Sequence, residues 1–255
     1  MLNLTLTYGY SPQGAFGYAL YGMLLCGSAT DIETGYRFGE LAVHILAQYE
    51  SVEFVCKINQ IFIAFIHSWR KPVRKGIEKF VENVQIGLET GDLEFACYSA
   101  VNYCDSHCVI GTPLKKTRQK QTHYIEVVKR AQQEFSHSAA LIWGQFTENL
   151  TETSDEPTQL VGTLFDEQTQ LARLKETNAF SLLFFVYTAK TILHYLFGDY
   201  EGTLEQATLA MQQEAAAAGM FLTVQPPFYK ALALLSDNCE RSCEQQAAQI
   251  TEAIA

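Results

Sequence analysis

Charge is what this sequence is short of. Charged residues fill 18% of its 255 positions, against roughly 25% in an average soluble chain. That deficit implies much interior surface, or faces that meet a partner. Bases are the scarcer sign: 18 Lys and Arg stand against 28 Asp and Glu, a net charge of −10. So acidic a chain repels a phosphate backbone unless its bases cluster. One cluster exists, Lys115, Lys116, Arg118 and Lys120. It lacks the interleaved aromatics of a single-strand binder and reads as a solvated helix face, so nucleic acid is not an expected partner. Long apolar runs are missing too. The most apolar stretch, 180–196, contains Lys190 and His194 and falls short of the roughly 20 residues a membrane span needs. It reads as a buried core helix. MLNLTLTYGYSPQG has neither a basic n-region nor an apolar h-region, so secretion is not expected. Seven cysteines at scattered spacings argue for reduced thiols and a cytoplasmic setting.

Motifs of catalysis are absent as well. The glycines of GYALYG lie within a predicted helix and lack the lysine of a phosphate loop. No G-x-S-x-G elbow or kinase catalytic loop occurs. His44, His67 and His194 sit in predicted helices with no acidic partner at a readable spacing, which suits packed or surface histidines better than general bases. Cys104, His107 and Cys108 share one helix face, and with His123 they would complete four zinc ligands. No paired CxxC knuckle supports that reading, so thiol packing is preferred and no metal or cofactor is expected. Cys239 and Cys243, also i, i+4, suit packing or a redox pair; no electropositive context favours the latter. Trp69 before Arg70 and Lys71 is either a ligand-facing anchor or a helix end whose bases counter the dipole.

What is present is helical periodicity almost throughout. Ser11-Pro12 opens a first helix to about Cys26, carrying interior glycines at 14, 17 and 22. Each costs roughly 1 kcal/mol against Ala, so a neighbour is expected to approach closely. Further helices are predicted from Asp31 to Tyr49, Val52 to Trp69, Pro72 to Gly91 and Leu93 to Ile110. After the break at Gly111-Thr112-Pro113 come Leu114 to Phe135 and His137 to Leu150. TETSDEPTQ, 151–159, is the one linker-like stretch. Helices resume at 160–176, 180–197, 200–219, 227–235 and from Cys239 to the end. The pattern predicts an all-α chain of about eleven helices in hairpins, a right-handed α-solenoid rather than a closed bundle. Its parts are N-terminal hairpins over 1–150, an acidic loop over 151–159, and C-terminal hairpins with a capping helix over 160–255.

Two stretches carry an internal repeat. At an offset of 168 residues, Asp199 falls on Asp31, Glu201 on Glu33, Leu209 on Leu41 and Ala210 on Ala42. Thr203 falls on Gly35 and Ala207 on Gly39. Small residues thus recur at the same helical steps, as stacked hairpins require. The later copy resembles a tetratricopeptide (TPR) unit, with Thr203 where Ala is usual and His194 where Tyr is.

YALYGMLLCG, DIETGYRFGELA, GLETGDLEFACYSAVNYC, LHYLFGDYEGTLEQA and PPFYKALALL occur in that order. Together they resemble the TPR-like helical region of very large cyanobacterial-type hybrid sensor kinases. In that family a Ser/Thr kinase domain and an ATPase module precede the helical region, and a GAF domain and histidine kinase follow it. The resemblance spans about residues 1–236. None of the family's catalytic motifs is present, so it carries over no catalytic residue. It implies a non-catalytic interaction or relay module, a fragment or stand-alone remnant of a signalling protein. Beginning at Met1 within the helical region fits truncation of a longer ancestor.

The partner is then a protein or a neighbouring signalling domain, met on the concave face of the array. Tyr18, Tyr21, Asn59, Phe62, Asn102, Tyr103, His107, Tyr187 and Lys190 are the expected contributors. The alternative is a small-ligand sensor with a pocket between hairpins, lined by the same aromatics. Glu240, Arg241, Glu244 and the glutamines after them suit a polar C-terminal cap. The N-terminal helix has no such face, which leaves an end for self-association.

Overall fold

A computed structural model describes residues 5, 7, 9–49 and 53–236. The predicted helix from Cys239, its cysteine pair and its cap residues lie outside the described residues. Among the described residues there are eleven α-helices and no strand. They are α1 (Pro12–Gly27), α2 (Ile32–Leu46), α3 (Val55–Ile61), α4 (Ile77–Thr90), α5 (Leu93–Val109) and α6 (Leu114–Arg130), followed by α7 (Glu134–Thr151), α8 (Glu167–Glu176), α9 (Phe180–Leu196), α10 (Tyr200–Met211) and α11 (Gln225–Ser236). No helix among them is long and apolar enough to cross a membrane. The chain divides into two compact units.

The first unit comprises 1–112, 123–137 and 218–221. Ser11 accepts from the Gly14 amide and Pro12 stands at the first turn, so α1 starts where the sequence predicts. Its glycines meet the neighbour they imply. A β-carbon on Gly22 would lie 2.7 Å from the Gly35 carbonyl oxygen, and one on Gly35 would lie 2.9 Å from that of Gly22. The backbones of α1 and α2 therefore cross in direct contact. The predicted third helix departs from regularity: after Ile61 the chain widens into a π-turn, Phe62–Ile66, then tightens to a 3₁₀ turn, His67–Trp69. Packing accounts for this. Phe62 and Ile66 both press on Gly39, where a β-carbon would meet them at 2.8 and 2.9 Å, and the wider turn brings both onto that point. Pro72 does not open a helix. A 3₁₀ turn, Val73–Lys75, intervenes before α4, which ends in Gly91 at φ +79°.

The second unit comprises 113–122, 138–217 and 222–255, and so contains the acidic 151–159 stretch within it. Trp143, Phe165, Phe184, Ile142, Leu160 and Leu193 are its largest fully buried side chains. The stretch is a loop, as its composition predicts, but an ordered one. Asn149 donates to the Pro157 carbonyl at 3.0 Å and to that of Gln159. The helix predicted from Leu160 begins only at Glu167. Residues 160–166 instead close a tight loop through the Val161–Asp166 bridge, with the Leu164 and Phe165 amides donating to Gln145 Oε1 at 3.3 Å. Asp166 is the cap that decides the start, accepting from the Gln168 amide at 2.9 Å. α10 likewise stops at Met211 rather than near Gly219. A 3₁₀ turn, Glu214–Ala217, follows, burying Ala217 while the Ala216 carbonyl accepts from Ser181.

α2 and α10, each within its own unit, share a cap and a buried row of small residues. Asp31 accepts from the Thr34 amide and Asp199 from the Gly202 amide, so both aspartates cap their helices three residues ahead. Behind each cap the small ladder is buried: Gly35, Gly39 and Ala42 on α2, Thr203, Ala207 and Ala210 on α10.

Candidate functional site

α2 lays Tyr36, Glu40, Val43, His44 and Ala47 along one side of an open cleft of about 920 Å³ in the first unit. Phe62 and His67 form its floor, and Lys71, Lys75 and Lys79 its far side. The irregular backbone explains how so many cations gather. The π- and 3₁₀ turns end the third helix at Trp69, and the chain then swings through Pro72 into α4. Lys71 precedes the 3₁₀ turn, Lys75 ends it and Lys79 lies in the first turn of α4, and all three line the cleft.

Each polar group here has an identifiable state. Tyr36 is buried and its hydroxyl bonds to Glu40, which with burial raises the phenol above its ordinary value. Arg70 is ion-paired with Glu33 and lies over the Tyr36 ring at 5.6 Å. Arg74 donates to the Ile110 carbonyl. Both arginines flanking the cleft are thus engaged, whereas Lys71, Lys75 and Lys79 are exposed and form no ion pair among the described residues. His67 is 5% exposed, and its Nδ1 has no hydrogen-bond partner. A buried polar atom left unpartnered costs about 1–3 kcal/mol. Burial first, then the charges of Lys79 and Lys71, hold its pKa below the ordinary histidine value, so the ring is neutral at pH 7. Gly76 packs against this edge of the ring: a β-carbon there would come within 3.1 Å of Nδ1.

Of the nine residues expected to meet a partner, only Phe62 lines this cleft. Tyr18, Phe62, Asn102, Tyr103, His107 and Tyr187 are buried, between 3% and 8% exposed. Tyr18 stacks on Phe38 and shares a hydrogen bond with Thr5 at 2.6 Å. Tyr103 packs on the His107 and Tyr124 rings. Asn102 bridges Gln60 and Asp105. Tyr21 is exposed and edge-on to Phe38, and Asn59 is half-buried. Lys190 is held by Glu167 at 2.5 Å in the second unit, with both side chains nearly covered.

The cysteine–histidine face packs internally. His107 Nδ1 meets Thr112 Oγ1 at 2.8 Å and Cys108 donates to the Cys104 carbonyl. No group of three potential metal ligands occurs among the described residues. Trp69 is no ligand anchor: its indole N–H donates to the Gly219 carbonyl at 2.9 Å.

Sequence reasoning missed three functional-looking groups. His194 has an acidic partner after all, Asp199 at 2.7 Å. The left-handed turn at Gly198, φ +80°, folds an i+5 residue back onto the ring. Asp105 was passed over because nothing in sequence marks a buried carboxyl. It is 3% exposed without a cation beside it, and burial raises its pKa to about 8. The spacing of Lys71, Lys75 and Lys79 was legible, but the cleft before them was not.

No known protein family matches the chain. It is similar to a hybrid signal transduction histidine kinase G from Dictyostelium discoideum, 25% identical over 131 residues, which is 51% of this chain. The match spans 4% of that protein's length. This similarity supports a region related to signalling kinases.

Proposed function

We propose that the chain is a non-catalytic interaction or relay module of a signalling protein, built as a right-handed solenoid of divergent TPR-like hairpins. The observation that carries this reading is the pair of hairpins 168 residues apart, with aspartate caps and buried small ladders in the same places. Hairpins specified by caps and small packing residues present surface, and surface is what repeat arrays use. The similarity to a signal transduction histidine kinase supports the signalling setting. The order of phrases along the chain, which resembles the helical region of cyanobacterial-type sensor kinases, supports the relay role.

In the second unit, Phe180, Leu196, Phe197, Phe228 and Leu235 stand about half exposed. Large apolar side chains left at a surface mark contact sites when they gather. They replace the buried aromatics as the residues to test. Calorimetric titration of the chain with separately produced Ser/Thr kinase, ATPase, GAF and histidine kinase modules of the resembled family should find at least one micromolar partner. Leu196→Ser/Phe197→Ser should weaken that binding about tenfold, the effect of losing one or two apolar anchors. Absence of binding to every module, or ATP turnover by the purified chain, would overturn the reading.

A further inference from the structure

We propose that the cleft of the first unit binds a phosphate-bearing small molecule, held by Lys71, Lys75 and Lys79 beside His67. The inference stands apart from the relay reading, since its test asks about the cleft alone.

Three observations converge. First, the chain carries a net charge of −10, yet three lysines that form no ion pair among the described residues line one cleft, Lys71 lying 5.9 Å from the Tyr36 ring centroid, while both nearby arginines are occupied. Like charges so gathered repel one another, and an anion among them removes that repulsion. Lysine ammonium groups act as point charges on phosphate, whereas carboxylates are better matched by the flat fork of a free arginine. None is free here. Second, His67 lines the cleft while more than nine-tenths buried, its Nδ1 edge closed off against Gly76. A side chain held this firmly beside the lysines gives the cleft a wall of fixed position. Third, the lining includes Phe62, the first residue of the Phe62–Ile66 π-turn, a distortion found often at functional sites. Phe62, Leu41 and Val43 give the other side an apolar lining. A cleft of about 920 Å³ lies within the range of small-molecule sites. The expected ligand therefore has a multiply charged phosphate end toward the lysines and an organic body over Phe62.

The probes are pyrophosphate and ADP, titrated calorimetrically into the full chain. Binding of either supports the site. ADP binding more tightly identifies a phosphorylated organic molecule, and equal affinities identify free polyphosphate. Lys71→Gln/Lys75→Gln/Lys79→Gln, all at exposed positions, should weaken binding roughly 30-fold with the melting temperature unchanged. Lys115→Gln/Lys116→Gln, removing the same kind of charge elsewhere, should stay within about twofold. In the NMR spectrum the His67 ring resonances should shift on addition of pyrophosphate. The proposal fails if neither probe binds, or if the Lys115/Lys116 variant loses as much affinity as the cleft variant. It also fails if citrate or a glutamate-rich peptide binds at least as well as pyrophosphate.

Discussion

Asp105 is the residue whose chemistry departs furthest from its type. The folded chain keeps its proton up to about pH 8, because burial outweighs the hydrogen bonds from Asn102 and Ser106. The unfolded chain releases it near the ordinary value of 3.8. Folding therefore takes up a proton throughout that window, and stability falls as pH rises from about 4 to about 8. Asp105→Asn keeps the shape and removes the titration. Its melting temperature should gain on wild type steadily between the ends of that window; parallel pH profiles would refute the assignment. The buried thiols behave in the opposite sense to reactive ones. Burial raises Cys26 and Cys97 to about 11 and Cys56 to about 12, so each is an inert thiol at neutral pH. Iodoacetamide labelling with peptide mapping should modify Cys108, the partly exposed one among the described cysteines, and reach those three only on unfolding. At this scale the sequence was a poor guide. Residue type marks what a side chain can do, but burial selects which of those options survives, and six of the nine expected contact residues went to the core.

At the scale of elements the sequence was far more legible, because caps and small residues act locally. Ser11, Asp31 and Asp199 start their helices by accepting amides that have no helical partner. Asp199→Ala removes both its cap bond and its pairing with His194. It should cost about 1–2 kcal/mol by denaturant melting, and the Asp31→Ala equivalent, which loses a cap alone, should cost less. The glycine ladder makes a sharper test. A methyl on Gly22 meets backbone, the Gly35 carbonyl, while one on Gly39 meets the movable rings and methyls of Phe62 and Ile66. Gly22→Ala should therefore be the more damaging of the two, by about 1–3 kcal/mol of overpacking. The elements that sequence misplaced, the π-turn after Ile61 and the loop over 160–166, are those where tertiary partners compete with local propensity. Gly39 receives the wide turn; Gln145 holds the loop.

For the whole molecule, composition makes the clearest statement. With a net charge of −10, the chain should give no shift of a DNA duplex at about 0.15 M salt, where long-range attraction is already screened. A shift that tracks the Lys115 to Lys120 cluster would show a local basic surface overriding the total. The cleft lysines do not contradict this expectation. Three ammonium groups suit one compact anion, not a repeating phosphate backbone.

Sequence by itself determined the all-helical class, the places where most helices begin, and the pairing of two hairpins 168 residues apart. These follow from periodicity, caps and small-residue spacing, all of which are written within a few turns of chain. Only the tertiary structure decided which aromatics are core, that His194 meets Asp199, and that three lysines line one cleft with His67. Those outcomes depend on which surfaces are removed from water when distant segments pack, and no local pattern of residues records that.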